Sequence, residues 1–292
     1  MHRFLVLTLN GVTSGSVYAL LALALVLIWR ATRVVNFAQG AMAMFTTYVA
    51  LSLLDRGWSY WAAFAAALGT GLLLGAVIER VLVRPVESAP PLNVVILTLG
   101  LLLFLEALAP MLWGGQIRSF PAPFSVAGIR VGHGQIPLSR FDLFALLAIL
   151  AVMALLVALF RLTTVGLRMR AAAFQPEVAR LLGVRVGRML TLGWALASLV
   201  GSLAGLLIAP TLLLYPSSMD QVLVYGFTGA VLGGLDSPVG AVLGGLAMGL
   251  ALSYAGGYVS SDVESIGGLL ILVAVLMVRP RGLFSRGGAR QV

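Results

Sequence analysis

Apolar runs about as long as a bilayer is thick dominate the chain, and the short segments between them carry arginine. A transmembrane helix needs about 20 mostly apolar residues. Such runs lie at roughly 5–29, 35–54, 60–79, 93–112, 141–161, 189–209, 221–234, 239–257 and 265–278. The seventh is short, and a re-entrant reading of 210–220 stays open, so the count falls between eight and ten spans. A soluble domain of 292 residues that is 60% apolar and 10% charged has too little polar surface to cover itself. The expected fold is therefore all-α, a polytopic transmembrane helical bundle forming one domain over 1–292. The first run is long for a signal-peptide core and shows no small-residue cleavage site, so it reads as a retained first span.

Sidedness follows from arginine. The net charge is +9, and all 19 basic residues are Arg. With the N-terminus outside and nine spans, the inner loops hold Arg30, Arg33, Arg80, Arg84, Arg161, Arg168, Arg170, Arg180, Arg185, Arg188, Arg279, Arg281, Arg286 and Arg290. The outer side keeps Arg3, Arg56, Arg118, Arg130 and Arg140. This imbalance predicts a cytoplasmic C-terminus, and a single missed span would reverse every later loop. In a soluble protein the same charge would suggest nucleic acid. Here it marks loop sidedness, and no nucleic-acid partner is expected.

The residue inventory excludes much chemistry. Without Cys there is no thiolate metal site, and His2 and His133 are far apart, so neither metal nor cofactor is expected. Without Lys there is no phosphate-binding Walker A loop. No zinc-protease, nucleophile-elbow or paired-carboxylate motif is present, so the chain is not expected to be an enzyme.

Two segments are too irregular or too polar to span. Residues 113–140 hold Pro121, Pro123, Pro137 and five glycines, which exclude a long helix. Alternation over Phe124–Val131 predicts a strand or hairpin, either a plain connection or a landing surface for an extracytoplasmic partner. Residues 162–188 are rich in Arg. Thr163 or Thr164 can cap a first helix, Pro176 and Glu177 suit the start of a second, and Gly183 suits its end. The expectation is a cytoplasmic helix-turn-helix along the membrane.

Polar residues inside the runs are few. Asn36 and Gln39 are three apart and share a helix face with Gly40 nearby. They read either as an N-cap with a packing glycine or as a polar lining near a cytoplasmic gate. Glu106 is the only acid well inside a run. It reads as an interhelical staple or as a pathway residue, with the staple favoured, because an acid at bilayer depth must face protein or water. Gly71–Gly75, Gly201–Gly205 and Gly240–Gly244 are small-residue seams suited to close helix packing.

Several stretches together resemble one family. NFAQG at 36–40, TLGLLLFLEALAPMLWG at 98–114, FQPEVARLLGV at 174–184, GGLDSPVGAVLGGLAMG at 233–249 and VLMVRPRGLF at 275–284 occur in the order found in branched-chain amino acid ABC permeases. The chain departs from that pattern at Gln39, where the family often has His, and at Asp236, a usual Gly. The spacing of Glu177, Ala179 and Gly183 is similar to the coupling motif of importer permeases, with Val178 replacing its middle Ala. The resemblance implies that Glu177, Ala179, Arg180, Leu181, Leu182 and Gly183 dock on ABC ATPase subunits. It also implies a second related permease subunit and an extracytoplasmic solute-binding protein as partners, alongside the lipid bilayer. The competing reading is an ion-coupled secondary transporter of a small solute.

Overall fold

The first apolar run becomes α1 (His2–Thr32), which passes through the middle of the molecule with 83% of its apolar window buried. A helix that is apolar all round must be surrounded by protein or lipid, and this one is surrounded by protein. The computed structural model describes the backbone of residues 2–86, 89–131, 134–279 and 282–283, and the side chains of these except at 2, 130–137 and 261–265. His133, Arg281, Arg286, Arg290 and the side chain of Arg130 lie outside the described residues.

The remaining helices are α2 (Gln39–Asp55), α3 (Tyr60–Ile78), α4 (Pro91–Trp113), α5 (Arg140–Leu162), α6 (Thr164–Phe174), α7 (Pro176–Leu181), α8 (Val186–Ile208), α9 (Asp220–Gly233), α10 (Pro238–Tyr258) and α11 (Ser261–Val278). Residues 79–83 continue α3 as a π-helix, and 84–86 close it as a 3-10 turn. Among the described residues six helices are long and apolar enough to cross a membrane: α1, α3 with its continuation, α4, α5, α8 and α10. The other runs carry shorter helices: α2 has 17 residues, α9 has 14, and the apolar part of α11 covers Ile266–Val278.

Burial separates the inner helices from the outer ones. α8 matches α1, with 78% of its window buried, whereas α3 and α4 reach 28% and α5 only 17%. The exposed apolar faces of those three helices, including Leu73, Leu103 and Leu150, are suited to contact with hydrocarbon. α10 packs antiparallel along α1, and α9 packs on both. α3 packs on α8, and α2 fits between α8, α3 and α4.

The three glycine seams are contact lines. A methyl at Gly75 would run into the Trp194 carbonyl and the Ser198 side chain of α8, and one at Gly71 into Ser202. Gly201 and Gly205 admit Gln39 and Thr47 of α2. Gly240 and Gly244 lie against Gly233 and Gly229. Without a hydrophobic driving force between helices in lipid, such close approach supplies much of the packing attraction.

Local chemistry sets the ends. α5 opens with a capping box: Asp142 N–H donates to Ser139 Oγ (3.0 Å), and Ser139 N–H donates to Asp142 Oδ2 (2.8 Å). Thr163 caps α6 by accepting from Gly166 N–H (3.0 Å). Ser237 caps α10 in the same way through Gly240 N–H (3.0 Å). The loop before α5 forms an antiparallel hairpin of β1 (Gly128–Val131) and β2 (Gly134–Ser139). The same face carries an aromatic cluster of Trp61, Phe64, Phe124 and Phe144. The opposite face collects the C-terminal ends of α1, α3, α5 and α9, the N-terminal ends of α8 and α10, and the α6–α7 pair.

Candidate functional site

The α6–α7 pair projects from the arginine-bearing face. Pro176 occupies the first turn of α7, and Glu177 follows it, where an acid complements the helix dipole. After Leu182 the chain turns at Gly183, whose φ of +81° is left-handed. There Gly183 N–H donates to Arg180 O (3.0 Å) and Val184 N–H to Ala179 O (2.9 Å), closing the helix end. Ala179 is the foot of the unit. It is buried with Ala172, Val186 and Leu190. The tip points away from the bundle, with Leu181 at 87% and Leu182 at 78% relative exposure and Phe174 and Val178 also exposed. Arg180 and Arg185 flank it, both exposed. Of the six residues grouped here by sequence, five line the outer surface and Ala179 anchors it from beneath.

A polar clasp that the sequence reading missed lies just behind this unit. Glu79 is only 1% exposed. Arg84 forks onto it, with Nη2 to Oε2 at 3.0 Å and Nε to Oε1 at 3.2 Å. Arg84 Nη2 also donates to Gly187 O (2.7 Å), and Thr191 Oγ1 donates to Glu79 Oε2 (2.6 Å). The π-helix explains the geometry. Its i→i+5 bond, from Arg84 N–H to Glu79 O, stacks residues five apart on one face. The clasp ties the end of α3 to the first turn of α8, which directly follows α7. The signal was an acid ending an apolar run with an arginine five residues on, a spacing that pairs badly on an α-helix.

Asn36, Gln39 and Gly40 meet at the α2–α8–α9 junction. Both polar side chains are fully buried. Asn36 Nδ2 donates to Gln39 Oε1 (3.1 Å), and Gln39 Nε2 donates to Ala197 O (3.1 Å). Gly40 lets α2 approach Met219 O and Leu223. Asn36 does not cap α2. Its side chain accepts from Ala38 N–H (3.1 Å) in a local turn, and Ala38 occupies the cap position.

Glu106 is half-buried on α4, one turn before Pro110. Proline has no N–H to give to the Glu106 carbonyl. The Glu106 carboxyl group lies beside that of Asp220, at the start of α9. Glu106 Oε1 has no partner among the described residues. The neighbour of Glu106 is thus a second acid rather than a cation. Asp236, the departure from a family glycine, pairs with Arg33 and accepts from Trp29 Nε1 (3.3 Å), joining the end of α1 to the start of α10. Among the described residues no cluster of three potential metal ligands occurs.

The family described as branched-chain amino acid transport system / permease component matches residues 7–278. The permease protein LivH of the high-affinity branched-chain amino acid transport system of Escherichia coli K12 is 30% identical, over 99% of this chain and 98% of LivH. BraD of Pseudomonas aeruginosa, named as a permease of the same kind of system, is 25% identical, over 100% of this chain and 99% of BraD. The solved structure of PsaBC from Streptococcus pneumoniae in complex with Fab shares the fold, with TM-score 0.51 and 15% identity over 93% of this chain and 91% of that one. A family match running from the first helix to the last, over a bundle of membrane-length helices, places the chain in the branched-chain amino acid transport permease family.

Proposed function

We propose that this chain is the membrane-spanning permease of an ATP-driven importer of branched-chain or related amino acids, and that ATP is hydrolysed on partner subunits. One observation carries the reading. A six-residue helix, α7, presents Leu181 and Leu182 outside the bundle, on the face where the arginines gather, and Ala179 and Gly183 fix its aim. An apolar tip ringed by charge is costly in water and suits a cleft on another protein. That partner is the ATPase pair. The arginine-bearing face is then cytoplasmic, with the N-terminus outside. A second related permease completes the membrane unit, and a solute-binding protein delivers substrate to the opposite face.

Movement of α7 passes to α8 and, through Arg84 on Gly187 O and Glu79, to α3. The permease works by favouring one of two packings rather than by covalent chemistry. The pathway role expected for Asn36, Gln39 and Gly40 requires their junction to part, because in the conformation described they face protein.

The test is solute-stimulated ATP hydrolysis by the reconstituted importer. Gly183→Asp and Leu182→Glu should each abolish the stimulation while leaving membrane insertion intact, and the exposed Leu182→Glu should also leave thermal unfolding unchanged. Normal stimulation in both variants would overturn the docking assignment. A second reading, an ion-coupled secondary transporter, draws on the facing carboxyls of Glu106 and Asp220, since intramembrane acids mark ion paths in such proteins. It requires gradient-driven uptake into vesicles lacking any ATPase; the importer reading requires none.

A further inference from the structure

A cavity of about 580 Å³ opens between α5 and α10 at the arginine-bearing end of the bundle. This volume is within the roughly 300–1,000 Å³ of ordinary ligand sites. Both helices pack on α1, which forms the back wall, and they scarcely touch each other. The cavity is therefore a cleft open on the side that α5 turns to hydrocarbon. Its depth is apolar, walled by Leu23, Leu27, Leu156 and Val242, and its mouth carries Arg30, Arg161 and Arg170. From Leu23 to Arg30 the wall rises about 10 Å along α1, at 1.5 Å per residue.

The charge at the mouth is only partly balanced within the chain. Among the described residues Asp236 is the single carboxylate lining the cavity; it attracts Arg30 but is engaged by Arg33 and Trp29, which leaves more positive than negative charge there. Among the described residues no carboxylate lies within ion-pair distance of Arg30, Arg161 or Arg170. Against the attraction of Asp236, Arg30 is repelled by Arg170 and by Arg33. Arg30 leans over the Phe160 ring, 5.9 Å from its centroid, which leaves its guanidinium edge available to an acceptor. Bringing like charges together at the rim of an apolar cleft is unfavourable unless an anion joins them.

We propose that this cleft is a binding site for one anionic phospholipid. Its phosphate is held by Arg30, Arg161 and Arg170, and an acyl chain lies along Leu23, Leu27, Leu156 and Val242. Arginine forks match phosphate oxygens in geometry. Basic pockets between transmembrane helices, at headgroup level, are where anionic lipids are recognised. A free phosphate would satisfy the mouth and leave the depth empty. A helix of a second permease copy would fill the depth and leave three guanidiniums without an anion. Only a lipid satisfies both parts. The site rests on the membrane-spanning architecture and not on which solute is carried.

The experiment uses the full chain, purified and delipidated in detergent, with phosphatidylglycerol, phosphatidylcholine and inorganic phosphate as probes and native mass spectrometry as readout. One phosphatidylglycerol per chain should be retained, about tenfold more tightly than phosphatidylcholine, with the preference shrinking as salt screens the arginines. Arg161→Gln and Arg170→Gln should each lower retention several-fold. Arg161→Lys, which keeps the charge and loses the fork, should restore only part of it, and the distant Arg188→Gln should leave it unchanged. Val242→Trp should reduce retention of both lipids by filling the depth. Equal retention of the two lipids would overturn the proposal, as would phosphate binding as tight as phosphatidylglycerol. Photo-crosslinking from position 242 to a second permease chain instead of to lipid would also overturn it. Thermal unfolding of each variant separates loss of the site from loss of the fold.

Discussion

Two acids sit at opposite ends of the bundle, and their surroundings differ in kind. Glu79, at the arginine-bearing end, is nearly inaccessible, yet each carboxylate oxygen is used: Arg84 forks onto the pair and Thr191 adds a hydroxyl. Glu106, toward the other end, is half-buried against a second acid, Asp220, and one of its oxygens has no partner among the described residues. A closed network in a low-dielectric setting resists change, whereas a half-satisfied one tolerates or invites it. The contrast assigns the first junction to holding α3 on α8 and leaves the second free to change protonation, hydration or partner.

The strongest way to break this contrast is to open the clasp. Glu79→Ala strands the Arg84 guanidinium against Gly187 and Thr191. Removing one partner of a buried ion pair costs on the order of 3–5 kcal/mol. About 3 kcal/mol is expected here, because the Arg84 side chain keeps 31% exposure. Thermal unfolding in detergent should show a large drop, with a smaller one for Glu79→Gln, which keeps an acceptor. A drop no larger for Glu79→Ala than for a surface substitution would show that the clasp is ornamental. Thr191→Val sharpens the same point at lower cost. It removes one hydroxyl that donates to Glu79 and accepts from Arg84, and a loss of about 1.5–3 kcal/mol, toward the lower end because the arginine fork stays, is expected for hydrogen bonds to charged groups.

The legibility of these features in sequence follows the range of the interactions involved. Apolar length predicts α1, α3, α4, α5, α8 and α10, because crossing hydrocarbon is a constraint each segment meets alone. The cap at Thr163 and the turn at Gly183 are equally local. The glycine seams are readable as seams, but not which helix each one meets: Gly201 receives Gln39, and Gly75 receives Trp194. The Glu79–Arg84–Thr191 clasp escaped notice for two reasons. A π-turn was needed to align residues five apart, and Thr191 lies more than a hundred positions away. The Asp220 neighbour of Glu106 escaped for the same long-range reason. Ala179 was grouped with docking residues by motif, although only packing distinguishes a foot from a face.

The smallest expected effect tests the open half of the contrast. Glu106→Gln replaces a carboxyl that faces another carboxyl with an amide, which can donate to Asp220 and accept elsewhere. No buried cation loses its partner, so none of the mechanisms behind large destabilisations applies, and stability should change by no more than about 0.5 kcal/mol. If Glu106 is an interhelical staple, transport by the reconstituted importer should stay within about twofold of the unsubstituted protein, and Asp220→Asn should behave alike. Complete loss of transport in a Glu106→Gln protein that inserts and unfolds normally would move Glu106 onto the pathway. The unsatisfied oxygen would then be a working group rather than slack in the packing, and the two ends of the bundle would differ in function as well as in satisfaction.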